Sequence, residues 1–463
     1  MRDENYLATI SSVGRSLPRK LKPQFRILIL LFSSLTMGCS SLSFSSMRIG
    51  PSIAQDIPRC SVSADPFGTA IENALEASRL GQTATTYSDW SFVALKWLQA
   101  IEGMQSVPIS SAKHPFAQKK VVEYLRYLDV AQQKAATLAN DLPFASFDSD
   151  FLDEQLRLYL SYLAAVGKPD VLIVGSSRAI QGIDPQTLQA ELNRQGKGSL
   201  RVFNFGINGA TAQVVDLLLR EVLTPQQLPK LIIWADGVRA FNSGRVDKTY
   251  NAIASSIGYQ QLLAGDRPQL PNETLLPDGC EATEAPSLSK TLSNLTQSFL
   301  TRLTPFSGSM VYAAEIRDID ASGFLPETTR FNPSSYYRTH PRVAGRYDGD
   351  YQNFNLGGAQ REAFDRVVAY TQQNDISLVV VSLPLTQDYL DSFRSRWEQQ
   401  FRQTMTQKAQ QQGFIFVDQS RQWVNQNDYF ADPSHLNRYG AIAVSRQLAT
   451  SSEIPWQPTP TNQ

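Results

Sequence analysis

Histidine is scarce in this 463-residue chain: only His114, His340 and His435 occur. That sharpens the search for chemistry, because a serine hydroxyl is a poor nucleophile until a base takes its proton, and imidazole is the usual base near neutral pH. His435 stands in "YFADPSHLNRYGA", with Asp432 three residues before it and a helix start expected near Asn437. This spacing lets a carboxylate reach the imidazole from the same turn and hold its tautomer. Alone, "DPSH" is also the pattern of a capped turn without chemistry. A second stretch changes the balance. In "DVLIVGSSRAIQGIDP", residues 170–185, an apolar run stops at Gly175 and is followed by Ser176, Ser177 and Arg178. Hydroxyl, imidazole and carboxylate are the parts of a nucleophile, its base and the acid that orients the base. The residue types leave open which serine is the nucleophile and which merely makes the turn. His114 falls in the break "VPISSAKHP" of a helical region, and His340, in "YYRTHPRVAG", belongs to a long insertion from which it could touch a substrate.

Residues so far apart need elements that bring them to one place. "DVLIVGSS", "RVFNFGING", "KLIIWADG", "SLVVVSLP" and "GFIFVDQS" read as short apolar strands, with helical stretches at 184–194, 212–224, 357–373 and 388–411 between most of them. Continuous apolar strands alternating with helices predict an α/β domain with a parallel sheet covered on both faces. Such sheets bind ligands beyond the carboxyl ends of their strands. At that edge the first strand delivers Gly175, Ser176, Ser177 and Arg178, and the second Asn204, Gly206, Asn208 and Gly209. The third delivers Asp236 and Arg239, and the fifth is followed by Asp432 and His435. Arg178 and Asp236, at the tips of adjacent strands, are expected to form an ion pair that braces the nucleophile loop, with Arg239 as further support. The domain spans 150–452. It carries an insertion at about 243–355 whose Tyr336, Tyr337, Arg338, Arg342, Arg346 and Tyr347 are read either as the wall of a polar glycan site or as plain loop.

Before this domain, 63–140 reads as a small helical-hairpin module. Trp90, Val93, Trp97, Ile101 and Met104 recur at helical spacing after a cap at Ser88 or Asp89, and Val121, Tyr124, Leu125, Leu128 and Ala131 share a face of a second helix. At the N-terminus, basic residues precede "ILILLFSSLTMGC", a run too short to span a bilayer comfortably but suited to a secretory signal over 1–39. Two readings are open there: a lipidated Cys39, or a plain signal peptide or uncleaved anchor. Residues 40–62 read as a tether, and 453–463 as an unstructured tail. Cys60 and Cys280 then remain, joined as a disulfide in an exported chain or kept as separate thiols. Lys+Arg 43 against Asp+Glu 43 leaves no basic footprint for nucleic acid. Scattered histidines and few cysteines imply no metal, and no cofactor motif is seen. A phosphate-binding reading of the first loop is weak, since "GSSRAIQG" lacks a glycine-rich cradle with lysine.

"VLIVGSS", "NFGINGAT" and "ADPSHLN" followed by a glycine resemble the first, second and fifth blocks of the SGNH/GDSL hydrolase superfamily, in that family's order over about residues 170–445. The variant resembled is that of D-alanine-transfer and alginate-O-acetylation type proteins, and the whole chain resembles an uncharacterised cyanobacterial family. The helical module resembles hairpins found near tetratricopeptide-like repeats. The resemblance implies a flavodoxin-like three-layer sheet, with Ser177 as nucleophile, His435 as base and Asp432 as its orienting acid. It also implies that the amides of Ser177 and Gly209 are oxyanion donors. Where the family's third block supplies an asparagine donor, this chain has Ala235, with Asn208, Asn242 and Arg239 as candidate replacements. The expected function is an exported, membrane-tethered serine esterase or O-acyltransferase acting on acyl esters of cell-envelope polysaccharide, with a membrane O-acyltransferase as partner. The alternative is a non-catalytic hydrolase-like scaffold that binds envelope glycan or assists an acylation or export complex.

Overall fold

Five apolar segments extend because β-branched and aromatic side chains fill them: β1 (Val171–Gly175), β2 (Val202–Gly206), β3 (Leu231–Asp236), β4 (Ser377–Ser382) and β5 (Ile415–Asp418). They pair in parallel in the order β2-β1-β3-β4-β5. The strands match those expected from the sequence, and the protein is an α/β structure around an all-parallel sheet. The computed structural model describes residues 65–138, 143–198, 200–270 and 319–456, all within one compact unit. The signal and tether segments, Cys39, Cys60 and Cys280 lie outside the described residues. No described helix is long and apolar enough to cross a membrane.

Alternating residues of each strand face opposite layers. Val171, Ile173, Ile233, Val379 and Val381 pack against Leu188 and Leu192 of α6 (Pro185–Arg194) and Val444 and Leu448 of α13 (Arg438–Thr450). Leu172, Val174, Phe203, Phe205 and Trp234 face α4 (Asp150–Val166), α7 (Ala212–Leu217), α11 (Gly358–Gln373) and α12 (Ser392–Gln412). Register sets the carboxyl ends nearly flush: Gly175 pairs with Gly206 and Ala235, and Asp236 with Ser382. β2 lies on one side of β1 and β3 on the other, so the chain reverses its winding there, which opens a crevice at the ends of β1 and β3. A short helix, α5 (Ser177–Gly182), starts in that crevice.

The preceding helices are α1 (Pro66–Gly81), α2 (Tyr87–Gln105) and α3 (His114–Leu138). Trp97 is core, as its spacing implies, with its ring 5.2 Å from that of Tyr124 and 5.0 Å from that of Tyr127. The cap of α2 differs from the expectation. Thr86 is the N-cap, and Asp89 is its reciprocal partner, reaching back to the Thr86 amide in a capping box. α4, which the sequence reading did not single out, joins these helices to the sheet: Gln99 donates to the Ala165 carbonyl, and Tyr159 packs 5.0 Å from Phe203. The tail also needs correction, since Ile454 and Trp456 are buried against the sheet layer that carries α13. Apolar burial of two large side chains outweighs the cost of ordering those few residues.

Of the insertion, α8 (Lys248–Ser255), α9 (Ile257–Ala264) and the stretch from 319 onward, with α10 (Pro333–Thr339), are described. Its second part runs around the carboxyl rim. Leu325 donates to the Ile180 carbonyl of α5, Phe331 to Phe430 after β5, Gly345 to Asp391 after β4, and Ser243 to Asn355. The insertion therefore joins the loops that follow several strands.

Candidate active site

The turn that carries Ser176 and Ser177 begins at Gly175, whose φ of +140° suits glycine and whose missing Cβ would fall 2.2 Å from the Ala235 carbonyl oxygen. β1 and β3 can therefore close up at their tips. Ser176 follows in extended conformation as the N-cap of α5. Its hydroxyl donates to Asp236 Oδ1 at 2.9 Å, and its amide donates to Oδ2 at 3.0 Å. Gly237 donates its amide to the same Oδ1 at 2.9 Å. Ser176 is thus consumed in fixing the turn. Ser177, at the first position of α5, is half-buried and holds its Oγ 2.9 Å from His435 Nε2.

His435 comes from the loop between β5 and α13. Its Nδ1 lies 2.7 Å from Asp432 Oδ2, while Asp432 Oδ1 accepts from the amides of Ser434 at 2.7 Å and His435 at 2.9 Å. A carboxylate opposite Nδ1 makes that nitrogen the donor, which leaves Nε2 free to accept the serine proton. Burial alone would raise the Asp432 pKa, but the charge and hydrogen bond of His435, helped by the two amides, hold it well below the usual carboxylate range. The loop itself is braced by residues the sequence reading did not assign. Asn437 donates to the carbonyls of Thr329, Asp428 and Phe430 at 3.1, 2.8 and 3.0 Å and caps α13 with its Oδ1. Thr386 donates through both amide and hydroxyl to the Pro433 carbonyl, at 3.2 and 2.8 Å. The signal for Asn437 was its place at a helix start, where asparagine is a preferred cap.

The backbone amides of Ser177 and Gly209 make no hydrogen bond among the described residues. Ala235 is fully buried inside β3 and brings no side-chain donor. Of the candidate replacements, Asn242 is ruled out. It is fully buried, donates to the Asp350 carbonyl at 2.8 Å and accepts from the amides of Gly244 and Asn355 at 3.0 and 2.8 Å. Arg239 sits 3.6 Å from Asp350 and over the Tyr389 ring. Asn208 is exposed beside Gly209. Asn204, placed on the rim by the sequence reading, is instead buried and ties the Ala179 and Ile183 carbonyls of the α5 segment to β2 at 2.8 and 2.9 Å.

The expected ion pair between Arg178 and Asp236 does not form. All three guanidinium nitrogens of Arg178 are buried without a hydrogen-bonding partner among the described residues. The carboxylate is already committed to Ser176 and Gly237, and the guanidinium passes across Gly237 instead, so close that a Cβ there would fall 1.7 Å from Nη1. The two other histidines make no hydrogen bond to Ser177, His435 or Asp432. His114 bonds the Val107 carbonyl at the start of α3, and His340 stacks on Tyr336 at 4.4 Å on the exposed insertion. Among the described residues no group of three histidine, cysteine or acidic side chains is placed to hold a metal ion. Compared with known proteins, the chain matches no family model and no curated protein sequence.

Proposed function

We propose that this protein is a serine-dependent enzyme of the SGNH/GDSL type that hydrolyses or transfers an acyl ester. The reading is carried by one observation, the unbroken line from Ser177 Oγ to His435 Nε2 at 2.9 Å and from His435 Nδ1 to Asp432 at 2.7 Å. In this mechanism Nε2 takes the proton of Ser177 as Oγ attacks the acyl carbonyl. The amides of Ser177 and Gly209 receive the oxyanion, and the protonated His435 returns its proton to the leaving alkoxide, giving an alcohol and an acyl-serine. Water or a second hydroxyl then attacks that ester with the same base, which releases the acid or the transferred ester and restores Ser177. The basic and apolar N-terminal segment supports an exported, membrane-tethered setting, in which envelope polysaccharide is the acyl donor or acceptor and a membrane O-acyltransferase is the partner.

Labelling of the purified protein with a fluorophosphonate tests the assignment. Label should be lost in Ser177→Ala and His435→Ala, and label that persists in Ser177→Ala overturns it. The rival reading, a non-catalytic glycan-binding scaffold, is favoured by Ala235, since loss of one oxyanion donor costs about a hundredfold or more in rate. A scaffold, however, has no use for a hydroxyl, imidazole and carboxylate in hydrogen-bonded line.

A further inference from the structure

We infer that Arg178 is a positioning residue that acts by charge rather than by contact: its uncommitted guanidinium keeps the Asp236 carboxylate ionised, and the ionised carboxylate fixes Ser176 and therefore Ser177. The inference rests on the proposed role of Ser177 and deepens it.

Asp236 receives donors only: the Ser176 amide, the Ser176 hydroxyl and the Gly237 amide. A carboxyl proton would weaken its oxygens as acceptors, whereas the anion takes these donors in stronger, charge-assisted hydrogen bonds, so the turn is held best by the anion. Asp236 is 3% exposed, and an isolated buried anion is costly. The cations facing it are Arg178 from α5 and Arg239 from the turn after β3; across the sheet its neighbour is Ser382, whose hydroxyl has no partner among the described residues. Arg178 is itself 3% exposed and spends none of its donors on a single carboxylate. Its charge is shared with a second buried acid, Glu398 of α12, which accepts the Tyr351 hydroxyl at 2.7 Å, and with Tyr351 and Tyr389. Burial pushes the carboxyls of Asp236 and Glu398 up, and in both the charge of Arg178 is the strongest influence pulling them back. The backbone keeps room for this arrangement, since a side chain at Gly237 would collide with the guanidinium.

The test compares wild type with Arg178→Gln and Arg178→Lys across pH, reading both the rate of fluorophosphonate labelling and the thermal midpoint. Without the cation, Asp236 should titrate at higher pH. The active form is the anion, so the acid limb of the labelling rate in Arg178→Gln should move to higher pH, while Arg178→Lys stays near wild type. Stability should run the other way. A carboxyl whose folded pKa lies above its unfolded value adds stability at low pH that is lost as pH rises through the folded pKa. Arg178→Gln should therefore gain activity and lose thermal stability over one pH interval, and Asp236→Asn added to it should abolish both trends. An unshifted limb, or Arg178→Lys as impaired as Arg178→Gln, overturns the inference. Should Arg178→Gln not fold, Gly237→Ala, which pushes the guanidinium away with its charge intact, must shift the limb in the same direction or the inference fails. The stability arm needs no catalysis, so its failure is separable from a failure of Ser177 as nucleophile.

Discussion

Ser177 Oγ and His435 Nε2 are 2.9 Å apart although 258 residues separate them in the chain. The contact is made by register. β1 ends at Gly175 beside the end of β3, and the loop after β5 folds back over the same rim, pinned by Asn437 and Thr386. Beyond this hydrogen bond, both partners have support of their own. Each is fixed from behind, Ser177 through Ser176 and Asp236, and His435 through Asp432.

That division of labour bears on Asp432. Replacing it by asparagine keeps the shape but loses the carboxylate that sets the Nδ1–H tautomer, and the expected loss in kcat is about 10³–10⁴-fold. The pH dependence of stability follows from the sign of its shift. Asp432 is held below the usual carboxylate range by His435 and two amides against the opposing effect of burial. It therefore contributes stability above the ordinary aspartate pKa of about 4, and that contribution is lost as pH falls toward the depressed folded value. Acid unfolding followed by circular dichroism should be steeper below about pH 4 in wild type than in Asp432→Asn. Equal slopes would show that the carboxylate is not coupled to the imidazole in the folded state.

The turn before Ser177 should tolerate no side chain. Gly175→Ala places a Cβ 2.2 Å from the Ala235 carbonyl oxygen at a φ of +140°, so the ends of β1 and β3 must separate. The expected cost is about 2–4 kcal/mol, measured as a lowered denaturant midpoint at unchanged slope. Labelling of Ser177 should fall further than the residual folded fraction explains, because the same displacement moves Oγ from the imidazole. Wild-type stability in this variant would mean that the tight approach of the two strands is not needed.

Much of this arrangement was legible in the sequence because the informative residues are of few types and sit where strands stop. Runs such as "VLIVG" and "LIIWAD" are apolar on both faces, which only a sheet covered on both sides accommodates, and the polar residues that follow them must then share one edge. Side-chain direction was not legible. Two strand tips can be known to adjoin while the guanidinium of Arg178 turns across Gly237 and the carboxylate of Asp236 turns to Ser176. The same limit hid the brace at Asn437, whose three carbonyl partners come from separate stretches of chain, and the burial of Trp456, an aromatic in a proline-rich tail whose composition reads as loop.

The two asparagines offered as substitutes for the missing third oxyanion donor should behave oppositely. Asn242 is fully buried and holds the 350–355 segment to the turn after β3 with both ends of its amide. Truncating it leaves carbonyl and amide groups of the rim without partners, so Asn242→Ala should cost about 2–4 kcal/mol in stability. Asn208 is exposed next to Gly209, whose amide makes no hydrogen bond among the described residues. Asn208→Ala should leave the thermal midpoint within about 1 °C but lower kcat about tenfold or more if its amide reaches the oxyanion. Steady-state kinetics on a chromogenic acyl ester, run beside melting curves for both variants, separates the roles. An Asn208→Ala enzyme with full kcat would pass the third donor to Arg239, the remaining polar side chain among those candidates, which already lies 3.6 Å from Asp350 and would have to leave that contact to serve.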